Sequence, residues 1–434
     1  MSAMPAHLNL APDALPNPPL NAQQSNPALL GWMVGSPPPV DRIIRFDDGS
    51  AQRFPQLRWS LSNQRQLVPT RAVGRGVGPV CALPRADRDD IDSLQFTPLG
   101  SDQPMRWDQA LATNYTDGIV VLHQGQIVHE RYFGVLRPDV PHLAMSISKS
   151  VVGLLGAMLV DEGRLDAQAP VARYVPELQH SGFGDATVQQ LLDMSTGLQH
   201  SEDYADPQAD IWAHVRAGGV LPRLAGNTGG GDDSGPASFY ASLQTVRKQG
   251  EHGQTFAYKT VNSDALGWVL RRITGSSLCD TVSQQLWQRL GAEQDACYSV
   301  DSSGTEFAGG GLNTCLRDLA RLGEMLRLGG WFNGQQIVAE AVVDGLRRGG
   351  DRAQFAQGGY PLLAGWSYHN MWWVSHNPHG AYMARGVHGQ CVYIDPAADM
   401  VVARYASHPV AGNAANDPTS LPAWQALAEH LLRS

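Results

Sequence analysis

Ser146 and Lys149 stand three residues apart in the stretch Met145-Ser146-Ile147-Ser148-Lys149. On a helix that spacing puts both side chains on one face, so a lysine amine can lie beside a serine hydroxyl. A serine is a poor nucleophile until a neighbouring base takes its proton. A lysine in apolar surroundings has its charged form disfavoured, which is what a base requires. A helix N-terminus adds free N–H groups and partial positive charge near a developing oxyanion. The chain holds only three lysines, Lys149, Lys248 and Lys259, among 32 basic residues. Arginine thus carries the surface charge, and arginine cannot lose its proton, so a retained lysine is informative. The competing reading of the same residues is an N-cap serine with a first-turn lysine.

Two other constellations compete for the chemistry. Asp193-Met194-Ser195-Thr196-Gly197 half-matches the GxSxG elbow. That elbow needs a strand before its serine, whereas Val188–Leu192 reads as helix and the first glycine is missing. Ser195 therefore ranks below Ser146, and its Ser-Thr-Gly reads as a helix-ending turn. His369, His376, His379 and His388 lie close in sequence. Metal sites usually add carboxylates or cysteines at regular spacing, and only Asp395, a strand-end residue, is near. These read as loop histidines, and no metal or cofactor is expected.

Composition narrows the class. A chain of 434 residues, 43% hydrophobic, has ample material for a catalytic unit of two lobes. A net charge of −9 without any basic run argues against nucleic-acid or anionic-membrane partners. The five cysteines are scattered and odd in number, which fits neither a disulfide framework nor a zinc ribbon. No basic-then-apolar leader pattern and no apolar run of spanning length are seen, so a cytoplasmic location is expected. Oligomeric state is not readable.

The elements that must position these residues follow from periodicity. Residues 148–162 are apolar on nearly all sides, which predicts a buried central helix entered at Ser146. Residues 118–133 read as two strands turning at Gln124-Gly125, and 390–407 as two strands turning near Pro396. Hairpins so far apart imply one antiparallel sheet assembled from both ends of the chain, with a terminal helix at about 422–433. Further helices are expected at 186–194, 262–273, 280–290 and 315–328. Residues 1–40 hold nine of the 28 prolines and read as a disordered or surface-wrapping arm. Residues 41–106 form an extension of unclear structure, with a hairpin around Asp48-Gly49 within 42–54. The catalytic domain is placed at 107–434, with a helical lobe at about 165–310 and a flexible loop at 226–238.

Several ordered blocks carry a family likeness. MSISKSVVGLLGAMLVDEGRLDAQAPVARYVPEL (145–178), VQQLLDMSTGL (188–198), FAYKTVNSDALGWVLRRITG (256–275) and GGGLNTCLRDLARLGEML (309–326) resemble class C β-lactamase-like serine hydrolases. NYTDGIVVLHQGQIVHERYF (114–133), SEDYADP (201–207), Trp372-Trp373 and GVHGQ (386–390) are most similar to the branch of 6-aminohexanoate-dimer (nylon-oligomer) hydrolases. The resemblance spans roughly 107–434. It implies the penicillin-recognising serine hydrolase fold, α/β (α+β), with an antiparallel sheet flanked by helices and a site between two lobes. It implies Ser146 as acylated nucleophile, Lys149 as its partner and Tyr258 as a proton shuttle, with either Lys149 or Tyr258 as the formal base. The backbone N–H groups of Ser146 and Val387 would form the oxyanion hole. Tyr204, Trp373, His388 and Thr260 would contact a small ester or amide substrate.

The sequence also departs from the pattern. Thr260 stands where the second motif, Tyr-x-Asn, has asparagine. Ala384-Arg385-Gly386 stands where a Lys-Thr-Gly is common, so Arg385 or His388 would have to hold a substrate carboxylate. Val215 stands where nylon-dimer hydrolysis uses an acidic residue, and Gly309 where it uses a polar side chain. Esterase activity is the expected floor, through an acyl-enzyme. β-Lactamase or D-alanyl peptidase activity is the alternative, and a catalytically silent binding protein is the alternative of another class.

Overall fold

The computed structural model describes residues 19–222 and 235–433. The first part of the proline-rich arm and most of the 226–238 loop lie outside them. In chain order the strands used below are β1 (Thr70–Val73), β2 (Thr116–His123), β3 (Gln126–Tyr132), β4 (His142–Leu143), β5 (Ala296–Ser299) and β6 (Leu312–Thr314). Then come β7 (Ser367–His369), β8 (Trp372–Val374), β9 (Tyr382–Gly386), β10 (Gln390–Asp395) and β11 (Met400–Ala406). The helices used below are α1 (Trp107–Thr113), α2 (Ile147–Asp161), α3 (Thr260–Thr274), α4 (Leu316–Arg327) and α5 (Asp417–Leu432).

The main sheet has seven strands in the order β7-β8-β9-β10-β11-β2-β3, every pair antiparallel. Distant parts of the chain meet at its centre, where β11 pairs with β2 through Val402↔Val121 and Ala403↔Val120. The β2–β3 turn falls at Gln124 and Gly125, with φ of 51° and 78°. That left-handed pair is the turn which matches strand twist in a two-residue hairpin.

Helices cover both faces. Gly323 of α4 sits so close to the sheet that a Cβ there would fall 2.6 Å from Val401. Neighbouring strand residues point to opposite faces. Arg404, three positions after Val401, accordingly lies on the other face, where its guanidinium stacks 5.0 Å from Trp424 of α5. Trp424 in turn meets Trp107 of α1 at 5.3 Å.

The buried central helix is α2, in which every residue from Ile147 to Leu159 is buried. Full burial of a Val or Leu side chain is worth about 1.5–3 kcal/mol. Val151, Val152, Leu154 and Leu155 therefore anchor α2 by packing, despite Gly153 and Gly156 in its interior. Gly153 permits a close approach: a Cβ there would fall 2.2 Å from the Asn370 carbonyl oxygen.

Two regions depart from the sequence expectation. Residues 42–54 form no hairpin. Asp48 and Gly49 do turn, but the Asp48 and Ser50 side chains bond to the backbone amides of Ser50 and Arg45, and a 3-10 turn (Ser50–Gln52) follows. Side-chain capture of the backbone replaces the strand ladder. The extension also supplies β1, one edge of a second sheet in the order β1-β5-β6-β4. It is further tied down by Arg58, which is buried and pairs with Asp117 at 3.0 Å. Arg58 also donates to Ser407 Oγ at 2.9 Å and to the Ala22 carbonyl at 2.5 Å. No helix among the described residues is long and apolar enough to cross a membrane.

Candidate active site

The second sheet delivers Ser146. β4 ends at Leu143, whose N–H donates to the Leu61 carbonyl, and the next N–H, of Ala144, donates to the Leu312 carbonyl of β6. Met145 then takes the left-handed conformation at φ 51°, sparsely used by side-chain-bearing residues and often found at functional turns. Ser146 is the residue at which α2 begins. Ser148 Oγ clamps the turn, donating to the Met145 carbonyl at 2.6 Å and accepting from Leu312 N–H at 3.0 Å.

One helical turn on, Lys149 Nζ lies 2.9 Å from Ser146 Oγ and donates to the Gly309 carbonyl at 2.6 Å. The lysine is 1% exposed. Burial pulls it down to about 8, although the negative charges of Glu202 and Asp264 act the other way. The other lysines are placed differently. Lys248 pairs with Asp185 near the surface, and Lys259 donates to the Leu198 carbonyl.

Tyr258 arrives two residues before α3. Its ring lies 5.1 Å from Lys149 Nζ and 5.6 Å from the Trp373 ring. Burial and the Glu202 charge hold its hydroxyl well above the usual phenol range, while interaction with the Ser146 hydroxyl pulls against them. The structure thus brings Ser146, Lys149 and Tyr258 together from segments 109 positions apart in sequence.

Val387 follows β9, beside the Ser146 turn. A Cβ on Gly386 would fall 2.8 Å from the Ala144 carbonyl oxygen and 3.0 Å from Met145 Cβ, so only glycine allows this approach. His388 takes φ 63° and is half-buried. Burial lowers its imidazole to about 4, although the contact of Nδ1 with the His408 carbonyl at 2.8 Å acts the other way.

The expected substrate-contact residues are distributed around this centre. Trp373 packs with Phe256, Tyr258, Phe355, Tyr360 and Tyr368 into an aromatic wall. Tyr204 stacks edge-on to Trp212 at 6.0 Å and donates to Glu202. Thr260 directs both its hydroxyl and its backbone N–H to the same Glu202 carboxylate, which therefore caps α3. Val215 is buried with Ile211, Phe239 and Phe307. Gly309 has no room for a side chain, because a Cβ would fall 2.4 Å from Thr260 Cγ2. Arg385 is buried, paired with Asp417, and lies 5.1 Å from the Trp373 ring.

The rival constellations are not assembled in this way. Ser195 follows a helix (Val188–Leu192) and the left-handed Met194, not a strand. His369 faces Asp193, His376 faces Ser367 and His379 faces Asp395. Among the described residues no group of three or more His, Cys, Asp or Glu is placed to hold a metal ion. The site residues that sequence reasoning missed are Glu202, Asp264 and His214. Asp264 carried one signal: it sits among Val261, Ala265 and Trp268 on the apolar face of its helix, where an unpaired carboxylate is costly.

Comparison with known proteins places these features in context. A family model described as Beta-lactamase matches residues 109–421. A 6-aminohexanoate-dimer hydrolase of Paenarthrobacter ureafaciens is 35% identical over 361 residues, covering 83% of this chain and 88% of that one. Esterase EstB of Burkholderia gladioli is 28% identical over 235 residues, 50% of this chain and 55% of that one. A solved Bacillus anthracis protein, provisionally named a 6-aminohexanoate-dimer hydrolase, superimposes with a TM-score of 0.81 at 30% identity. That match covers 91% of this chain and 99% of the other.

Proposed function

The chain belongs to the beta-lactamase family and is a serine hydrolase, and from that premise we propose that it cleaves carboxylic esters, and linear amides more slowly, through an acyl-enzyme on Ser146. The observation that carries this reading is the 2.9 Å contact between Ser146 Oγ and a lysine amine lowered to about 8 by burial.

Lys149 is the base in this mechanism. At pH 7 a group titrating near 8 is roughly one-tenth unprotonated, whereas a phenol held above its usual range is almost wholly protonated. The neutral amine takes the Ser146 proton as Oγ attacks the carbonyl carbon. The N–H groups of Ser146 and Val387 receive the oxyanion, aided by the N-terminus of α2. Tyr258 donates its proton to the departing alkoxide or amine and is reprotonated from the Lys149 ammonium. Water then attacks the acyl carbon, Lys149 takes its proton, and that proton is returned to Ser146 Oγ as the acyl C–O bond breaks and the acid departs.

The substrate follows from which charges the site offers. Arg385 is neutralised by Asp417, and His388 is neutral, so neither supplies a cation for a substrate carboxylate. This disfavours β-lactams and D-alanyl peptides. Val215 is buried in an apolar cluster where the nylon-dimer hydrolase resemblance calls for an acid, and Gly309 offers only backbone. The site therefore suits neutral esters with an apolar or aromatic group against Trp373, Tyr360 and Tyr258. Esters are favoured over amides because an alkoxide needs less help to leave. A catalytically silent binder would have no use for a buried lysine against a serine.

A substrate panel tests this directly. Short-chain aryl esters should be the best substrates, the 6-aminohexanoate dimer a poor one, and a chromogenic cephalosporin the poorest. Ser146→Ala should abolish all turnover. Turnover retained by that variant would refute the reading.

A further inference from the structure

We propose that Asp264 and His214 are positioning residues for Lys149, acting through the backbone of Gly309. The proposal rests on the reading of Lys149 as the base. Lys149 Nζ has two close partners, Ser146 Oγ at 2.9 Å and the Gly309 carbonyl at 2.6 Å. A neutral amine satisfied by these two donates one N–H to the carbonyl and turns its lone pair to the serine hydroxyl. The direction of that lone pair therefore depends on where the Gly309 carbonyl is held.

Gly309 is held by a buried carboxylate. Its N–H donates to Asp264 Oδ1 at 2.9 Å. The other oxygen, Oδ2, accepts from His214 Nε2 at 2.8 Å, and His214 Nδ1 lies 2.9 Å from Ser242 Oγ. The network closes through the imidazole, with Nε2 on Asp264 Oδ2 and Nδ1 on the Ser242 hydroxyl. Both side chains are almost fully buried, at 2% and 1% exposed. A buried charge so fully bonded has one low-energy geometry, because any rotation leaves a polar atom unpaired. Glycine at 309 is part of the device, since any side chain there would collide with Thr260. The chain of contacts Ser242–His214–Asp264–Gly309–Lys149–Ser146 draws on five separate segments, and each link fixes the next.

Asp264 has a second, electrostatic effect. The carboxylates that act on Lys149 are Asp264 from α3 and Glu202 from the segment before Tyr204, and the Tyr258 ring faces the amine at 5.1 Å. Both carboxylates favour the ammonium form and oppose the effect of burial. Removing one should therefore let Lys149 lose its proton at lower pH.

Asp264→Asn and Asp264→Ala separate the two effects. Asparagine keeps an acceptor for the Gly309 N–H and removes the charge. Its acid limb in kcat/KM, and in the rate of fluorophosphonate labelling at Ser146, should move down by about half a pH unit. Alanine also loses the hydrogen bond, and its kcat should fall about tenfold to a hundredfold with KM little changed, the scale of one hydrogen bond to a charged group. Should the alanine variant fail to fold, the asparagine profile carries the test. A folded alanine variant with wild-type kcat overturns the positioning role, and a profile that stays at the wild-type position in the asparagine variant overturns the electrostatic effect. Either outcome is distinct from failure of the parent reading of Lys149 as the base, which would show as near-normal turnover by Lys149→Arg.

Discussion

The Ser146–Lys149–Tyr258 side of the site and the side formed by Glu202, Tyr204, Thr260, Arg385 and His388 are built by opposite means. On the first side the polar groups have few partners and are buried among apolar residues. Lys149 has two, and burial displaces its protonation toward neutral pH. On the second side the charges are already spent. Glu202 is bonded by Tyr204 and twice by Thr260, Arg385 is paired with Asp417, and His388 faces a carbonyl. Proton transfer needs groups that can change state, whereas selection by shape needs groups that cannot. The two sides should therefore respond differently to substitution: the first through kcat, the second mainly through KM and substrate choice.

The largest effect is expected on the first side. Lys149→Arg should lower kcat/KM about a thousandfold or more, because an arginine cannot act as a base at neutral pH. Steady-state kinetics beside an unchanged circular dichroism spectrum checks it. Near-normal turnover would remove the distinction between the two sides. The next effect falls where they meet. Gly309→Ala places a Cβ against Thr260 and Asp264, and should cost about 1–3 kcal/mol of stability along with activity. Denaturant unfolding measures the first quantity, and a variant as stable as the parent would contradict the packing described.

Acid probes the second side through His388, together with two buried histidines elsewhere in the fold. Burial lowers His129, His200 and His388 to about 4 in the folded chain, against about 6.5 when unfolded. The unfolded state then binds more protons between those values, so the stability due to neutral imidazoles is intact above pH 6.5 and is lost as pH falls toward 4. Tm should decline over that window, and the decline should be smaller in His388→Gln. The smallest effect is expected from Tyr204→Phe, which removes one hydrogen bond to Glu202. KM should rise about fivefold, less than the scale of a full hydrogen bond to a charged group because Thr260 still holds the carboxylate, with kcat little changed. A large fall in kcat would instead place Tyr204 with the proton-transfer groups.

The legibility of the sequence divides along similar lines. α2 and the β2–β3 and β10–β11 hairpins could be read because their information is local: an all-round apolar run, alternation, and turn residues at Gln124-Gly125 and Pro396. The Ser146–Lys149 contact was legible for the same reason, since three positions on a helix fix a geometry. The second sheet was not, because β1, β4 and β6 are two to four residues long and pair with strands far away in sequence. The Arg58–Asp117 pair that fastens the extension joins positions 59 apart, and no local pattern announces it. Glu202 and the Asp264–His214 pair were missed for that reason too. Their partners come from other segments, and a buried carboxylate looks like any surface acid until its neighbours are known.

The proposed mechanism requires that Ser146 become covalently acylated. Intact-protein and peptide-mapped mass spectrometry after brief exposure to a fluorophosphonate, and separately to a slow aryl ester, tests it most directly. One adduct per chain is expected, on the peptide containing Ser146, formed faster as pH rises through about 8 and absent from Ser146→Ala. An adduct on the Ser195 peptide instead, or ester hydrolysis with no adduct on any residue, would contradict it.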